Sequence, residues 1–268
     1  MAKLKSEKAK KPAAKNTKVP TTPVDLTAKS FIERLKKHSN PEQAKQYLHY
    51  FKTGKGQYGE GDMFIGVRMG TVFALAKEFI DMPLKEIEKM LENKIHEVRA
   101  SAMSIMNQKA RKKKTPESRR KELYDLYLRR HDRINNWDLV DVSAPYVIGG
   151  YLYEFNKPRN ILYKLARSKN LWERRTSILA TGYFIKQGDV EDTHKIAEML
   201  LNDKEDLIHK AVGWMLRASG GGANKQKLLR FLDKHAASMP RTLLRYSLEH
   251  LDKKEREHYM GLKKSLNK

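Results

Sequence analysis

From Thr27 onward the apolar side chains recur every three or four positions, and no segment sustains the strict alternation of a half-buried strand. Thr27 is placed to cap a first helix containing Phe31, Ile32 and Leu35, and Asn40-Pro41 opens a second with proline at its first position. The pattern predicts further helices near residues 70–80, 83–93, 95–110, 117–131, 134–152, 158–168, 171–187, 190–202, 205–219, 223–236 and 239–252. Gly188-Asp189 and Gly220-Gly221-Gly222 mark terminations. Residues 111–121 (RKKKTPESRRK) read as an exposed basic connection running into the next helix. The expected fold class is all-α.

A longer period overlies the helical one. Arg99, Trp137, Arg175, Lys210 and Arg245 are spaced by 38, 38, 35 and 35 residues, each in a similar helical context. One helical turn after them come Met103, Asp141, Leu179, Trp214 and Glu249. A repeat of this length predicts stacked helical hairpins, an α-solenoid of HEAT-like repeats with a concave basic face. Equivalent positions of successive repeats then share one surface. Residues 27–268 are expected to form one such domain, preceded by a disordered basic tail over 1–26. Residues 1–25 hold seven lysines and the prolines Pro12, Pro20 and Pro23, with few large apolar side chains.

Composition narrows the class of partner. The chain carries 55 Lys plus Arg against 32 Asp plus Glu, a net charge of +23. Such an excess favours a polyanion through counterion release, with nucleic acid preferred over a membrane surface. The absence of cysteine removes disulfides, thiolate zinc sites and a cysteine nucleophile. No apolar run approaches a membrane span and no secretory signal is evident, so a cytoplasmic location is the expectation. Gly54, Gly56 and Gly59 spell GxGxxG, yet the preceding QAKQYLHYF reads as helix, where a dinucleotide loop needs a strand. Residues 52–62 are therefore expected to be a loop.

Candidate chemistry sits on the longer lattice. Trp137 and Asp141 lie four apart and share a helix face, whereas Asp138 points elsewhere and reads as surface or cap. The apolar run VSAPYVIGGYLY follows Asp141. An aspartate beside such a run is either a buried hydrogen-bond organiser or a carboxylate poised in a cleft. The nine histidines form no metal-ligand pattern, His209 reads as helix surface, and Ser143 and Ser177 lack the GxSxG context of a hydrolase triad. No metal and no cofactor are expected.

The segments NNWDLVDVSAPYVIG, LWERRTSILAT and HKAVGWMLR together resemble the AlkD family of DNA alkylation repair glycosylases, and FKTGKGQYGEGDMFIGVR is similar to an N-terminal signature of that family. The resemblance covers roughly residues 28–258. One departure is Met69-Gly70-Thr71, where members commonly carry proline. The resemblance implies a monomeric, cofactor-free glycosylase that releases cationic alkylated purines, such as N3-alkyladenine and N7-alkylguanine, from double-stranded DNA. It implies that Asp141 is the catalytic carboxylate, that Trp137 and Trp214 pack against the lesion's sugar-phosphate backbone, and that Arg175 meets a phosphate. Lys210, Arg99, Arg245 and Arg174 complete the expected DNA-binding set. The competing readings are a noncatalytic HEAT-repeat binder of damaged or branched DNA, and a protein-interaction scaffold, which leaves the charge unexplained.

Overall fold

The computed structural model describes residues 25–265. The tail expected over 1–26 lies outside them, apart from Asp25 and Leu26. The described residues form helices α1 (Ala28–Lys36), α2 (Pro41–Tyr50), α3 (Met69–Glu78), α4 (Leu84–Leu91), α5 (His96–Arg111), α6 (Glu117–Arg129), α7 (Trp137–Ala144) and α8 (Tyr151–Glu154). There follow α9 (Asn160–Ala166), α10 (Leu171–Lys186), α11 (Glu191–Met199), α12 (Asp206–Ser219), α13 (Lys225–His235), α14 (Arg241–Ser247) and α15 (Lys253–Ser265). Among the described residues the only β-pairing is an isolated parallel bridge between Met63 and Ile95.

The helices pack as an α-solenoid in two rows. Helices α3, α5, α7, α10, α12 and α14 follow one another along one row, backed by α1, α4, α6, α9, α11 and α13. Burial explains which sequences occupy which row. In α4, LKEIEKML, a single stripe of Ile87, Met90 and Leu91 is buried and the rest faces water. Helix α5 is enclosed by α3, α4, α6 and α7. Its buried small residues Ala100, Ser101, Ala102 and Ser104 allow that close approach.

Glycine does the same where two first-row helices meet most tightly. A Cβ on Gly213 of α12 would lie 2.7 Å from the Leu243 carbonyl oxygen and 2.5 Å from the Tyr246 Cβ of α14. On Gly149 it would lie 2.0 Å from the Ala180 carbonyl oxygen of α10.

Two departures from the sequence pattern have local causes. The helix expected over 134–152 begins at Trp137, capped by Asn136, and changes to a π turn over Pro145–Gly150 before α8. Pro145 has no N–H for the Asp141 carbonyl and its ring crowds that carbonyl, so the wider turn accommodates it. Helix α15 was absent from the periodic pattern because KKEREHYMGLKKS is mostly polar. Its start is a reciprocal box in which the Glu255 N–H donates to Asp252 and the Asp252 N–H donates to Glu255. Buried Tyr259 anchors it by donating to Asp233 at 2.7 Å. The glycine-rich segment is a loop, folded back so that the Gly59 N–H donates to the Lys52 carbonyl at 3.1 Å.

Candidate active site

Asp141 stands one turn into α7, just before the π turn. Its two oxygens accept from Nε and Nη2 of Arg175 on α10, each at 2.8 Å, and Nη1 of Arg175 donates to the Leu207 carbonyl at 2.5 Å. Bidentate pairing fixes the plane of the carboxylate as well as its position. Burial pushes the Asp141 carboxyl above the usual aspartate range; Arg175 opposes that rise and Asp138 adds to it. The side chain nevertheless keeps 19% of its surface open. The two readings of Asp141 are thus not exclusive: it organises the helix contact and still reaches solvent.

It reaches two cavities. The larger, about 1120 Å³, is lined from five successive first-row helical segments and contains Phe73, Tyr146 and Trp214. Four cations, Lys77, Arg111, Lys112 and Lys186, also line it, and among the described residues Asp141 is its sole carboxylate. The smaller, about 400 Å³, is walled by Tyr50, Phe51, Phe64 and Trp137. Asp141, Val142 and Phe73 line both. The carboxylate therefore sits on the divide between a cavity holding one indole and a cavity holding the other. Trp214 is 37% exposed, unusual for so large an apolar side chain. Trp137 is half-buried, stacked on Phe51 with ring centres 5.5 Å apart, and edge-on to Tyr50.

The cations of the expected DNA-binding set divide into two groups. Lys210 is 42% exposed and pairs with Asp206 at 2.7 Å. Arg245 is exposed and lines a further cleft with Arg217 and Arg256. Arg175, by contrast, is buried and bonded at both edges of its guanidinium. Arg174 grips Asp203 at 2.6 and 3.2 Å and the carbonyls of Ser168 and Lys169 at 3.0 Å.

Arg99 behaves as Arg174 does. It is buried, donates to Asp62 at 2.5 Å, and holds the carbonyls of Asn93 and Lys94 at 3.0 and 3.2 Å. Both arginines are the fourth residue of their helices and bond the carbonyls five and six residues back, whereas Arg175, Lys210 and Arg245 are each the fifth. The lattice drawn through Arg99 was therefore one residue out of phase. One residue turns a helical side chain by about 100°, which carries Arg99 into the joint between repeats.

Other expectations also shift. Asp138, read as surface or cap, accepts from the Leu139 N–H in the first turn of α7 at 2.9 Å with one oxygen and presents the other to the buried His96 at 2.8 Å. His209, read as surface, meets the Asp203 carbonyl at 2.6 Å. The sequence reading missed Tyr146, which Lys186 contacts at its hydroxyl (2.7 Å) and Arg111 over its ring (4.7 Å). It also missed Phe51 and Phe64, although both stand in or beside the glycine-rich signature that flagged this region.

The sequence model of the family described as DNA alkylation repair enzyme matches residues 31–251. No functionally curated protein matches. Among solved structures, one titled "Predicted DNA alkylation repair enzyme from Enterococcus faecalis" shares the fold with a TM-score of 0.64 and 19% identity, over 81% of this chain and 98% of that one. The family match takes in Trp137, Asp141, Arg175 and Trp214 as well as Lys210, and the chain belongs to the DNA alkylation repair enzyme family.

Proposed function

We propose that, within alkylation repair, this protein is a DNA glycosylase that hydrolyses the N-glycosidic bond of cationic alkylated purines in duplex DNA. The observation that carries the proposal is the position of Asp141, a carboxylate clamped by Arg175 on the divide between two cavities that each hold a tryptophan. An alkylated purine is already positively charged, so it departs with the bonding electrons and needs no general acid. The barrier lies in the positive charge that develops on the deoxyribose. A fixed carboxylate stabilises that charge and orients the attacking water. The faces of Trp137 and Trp214 stabilise the same cation from either side.

Arg175 favours the ionised carboxylate against burial and holds it in one orientation, in place of the phosphate contact the sequence suggested. Phosphates fall to Lys210 and Arg245, with Lys77, Arg111, Lys112 and Lys186 across the larger cavity. Arg99 and Arg174 brace the repeats.

The test is release of free N7-methylguanine from a methylated duplex under single-turnover conditions. Asp141→Asn should lower the rate by roughly a hundredfold or more, the usual weight of a charge aimed at a transition state, with DNA affinity largely retained. Trp137→Ala and Trp214→Ala should each slow release less. Because Asn leaves Arg175 without its counter-charge, melting is recorded for every variant and rates are compared well below the transition. A folded Asp141→Asn protein with full activity, or a loss accounted for wholly by unfolding, defeats the assignment. The noncatalytic binder is the reading that would then stand.

A further inference from the structure

The glycine-rich loop has no part in the chemistry above, yet it carries Tyr58 and Asp62 and is flanked by Phe51 and Phe64, all close to the start of α7. Asp62 is nearly buried. One of its oxygens accepts from Arg99 at 2.5 Å; the other meets His96 Nδ1 at 3.2 Å and accepts from Asn136 at 3.3 Å. His96 is 1% exposed, and its Nε2 meets Asp138 at 2.8 Å. Both ring nitrogens thus face carboxylates, an arrangement that calls for a proton on each. Burial alone would lower the pKa of this ring, but Asp138 and Asp62 outweigh burial and the opposing Arg99, and raise it to about 9.

The same ring starts an aromatic stack. His96 lies on Phe64 (centres 4.8 Å, 27°), Phe64 on Phe51 (5.0 Å, 21°) and Phe51 on Trp137 (5.5 Å, 15°). Tyr58, farther along the loop, lies close to the Trp137 indole. His96 therefore reaches Trp137 twice, through the adjacent Asp138 and through the two rings Phe64 and Phe51.

We propose that His96 is a positioning residue for Trp137: it holds Asp138 on one side and the Phe64–Phe51 stack on the other, and so fixes the indole beside Asp141. The catalytic consequence rests on the glycosylase reading; the placement of the indole does not. A buried ion pair with no role beyond stability would also lower the melting point when broken, so stability alone is no test. The charged and titratable groups facing His96 are Asp62, Asp138, Arg99 and Glu97; those around the indole are Asp138, Asp141, Tyr50, Tyr58 and, beyond Tyr58, Lys210. Burial pushes Tyr58 above its ordinary value of 10.

The experiment is an NMR titration of the full chain, in which the His96 ring protons and the three indole N–H resonances are followed from neutral to alkaline pH. The Trp137 indole should move with the His96 midpoint, near 9, while the Trp214 indole stays unmoved. In parallel, His96→Gln should slow single-turnover base release by roughly tenfold or more, the scale of effect that a small misplacement produces, while Kd for DNA changes less than about twofold. A Trp137 resonance indifferent to the His96 titration, or a folded His96→Gln protein with the wild-type rate, overturns the proposal. If His96→Gln fails to fold, the wild-type titration decides alone. If the wild type releases no base, the glycosylase reading falls and the titration still decides the positional one.

Discussion

Arg175 and Asp141 are a pair in which each residue sets the other's use. The carboxylate is pushed toward its neutral form by burial, and the guanidinium opposes that shift. A buried arginine bonded at both edges has little left for a phosphate. Arg175→Ala should therefore act first on stability, costing on the order of 3–5 kcal/mol because it strands a buried carboxylate. The sign of the pH dependence follows from the same geometry. On the proposed glycosylase reading catalysis needs the ionised Asp141, and a raised pKa means protonation sets in at higher pH than for an ordinary aspartate. The acid limb of the single-turnover rate should thus lie above the usual aspartate range, and in Arg175→Lys it should move further toward neutrality as the bidentate clamp is lost. A limb at or below the ordinary value would show that Asp141 is not the group that titrates. The sequence offered Asp141, Trp137 and Arg175 through their spacing. It could not show that Arg175 faces Asp141, because helix spacing fixes which face a residue occupies and leaves open which neighbour it meets.

At the scale of the element, the helical period located nearly every helix, while the irregularities came from single residues. Pro145 was visible in the sequence, yet its effect is a π turn directly after Asp141 rather than a helix end. Asp252 and Glu255 form a capping box that signals α15, but the polar residues between and after them masked it. The phase slip between Arg99 and Arg175 has the same origin: the repeats are not all of one length, so a lattice drawn by spacing drifts by one residue. Glycine was the least legible class. Gly213 sits in a helix interior, where it costs about 1 kcal/mol relative to alanine, and nothing in the sequence says why. Its missing Cβ is the space in which Tyr246 and the Leu243 carbonyl stand. Gly213→Ala should accordingly destabilise the protein by about 1–3 kcal/mol through overpacking, despite its better helix propensity. Gly261→Ala in α15, where an added Cβ meets nothing within 4 Å, should stabilise by up to about 1 kcal/mol. Chemical denaturation of the two variants checks both signs, and equal effects would mean that the α12–α14 contact is looser than its geometry.

For the molecule as a whole, the excess of +23 predicts an affinity for polyanions but says nothing of where it acts. The structure separates the cations into those that hold the solenoid together and those left facing outward. Arg99, Arg120, Arg174 and Arg175 are engaged by Asp62, Glu154, Asp203 and Asp141, and each ties one part of the stack to another. Lys77, Arg111, Lys112 and Lys186 line the large cavity, and Lys210 and Arg245 follow along the same row of helices. This division makes a prediction that net charge cannot. A cation that neutralises one phosphate releases about one counterion, so Lys210→Ala should weaken binding to every duplex alike and reduce the slope of log K against log salt by roughly one unit. Arg99→Ala removes the same charge from the interior. It should leave the salt slope of the folded protein nearly unchanged and lower the melting temperature, because buried Asp62 loses its arginine partner and keeps only His96 and Asn136. Fluorescence anisotropy with a short duplex at several salt concentrations, alongside thermal melts, distinguishes the two. Equal slope changes would place Arg99 on the DNA face after all, and an unchanged slope for Lys210→Ala would move the duplex off this row of helices.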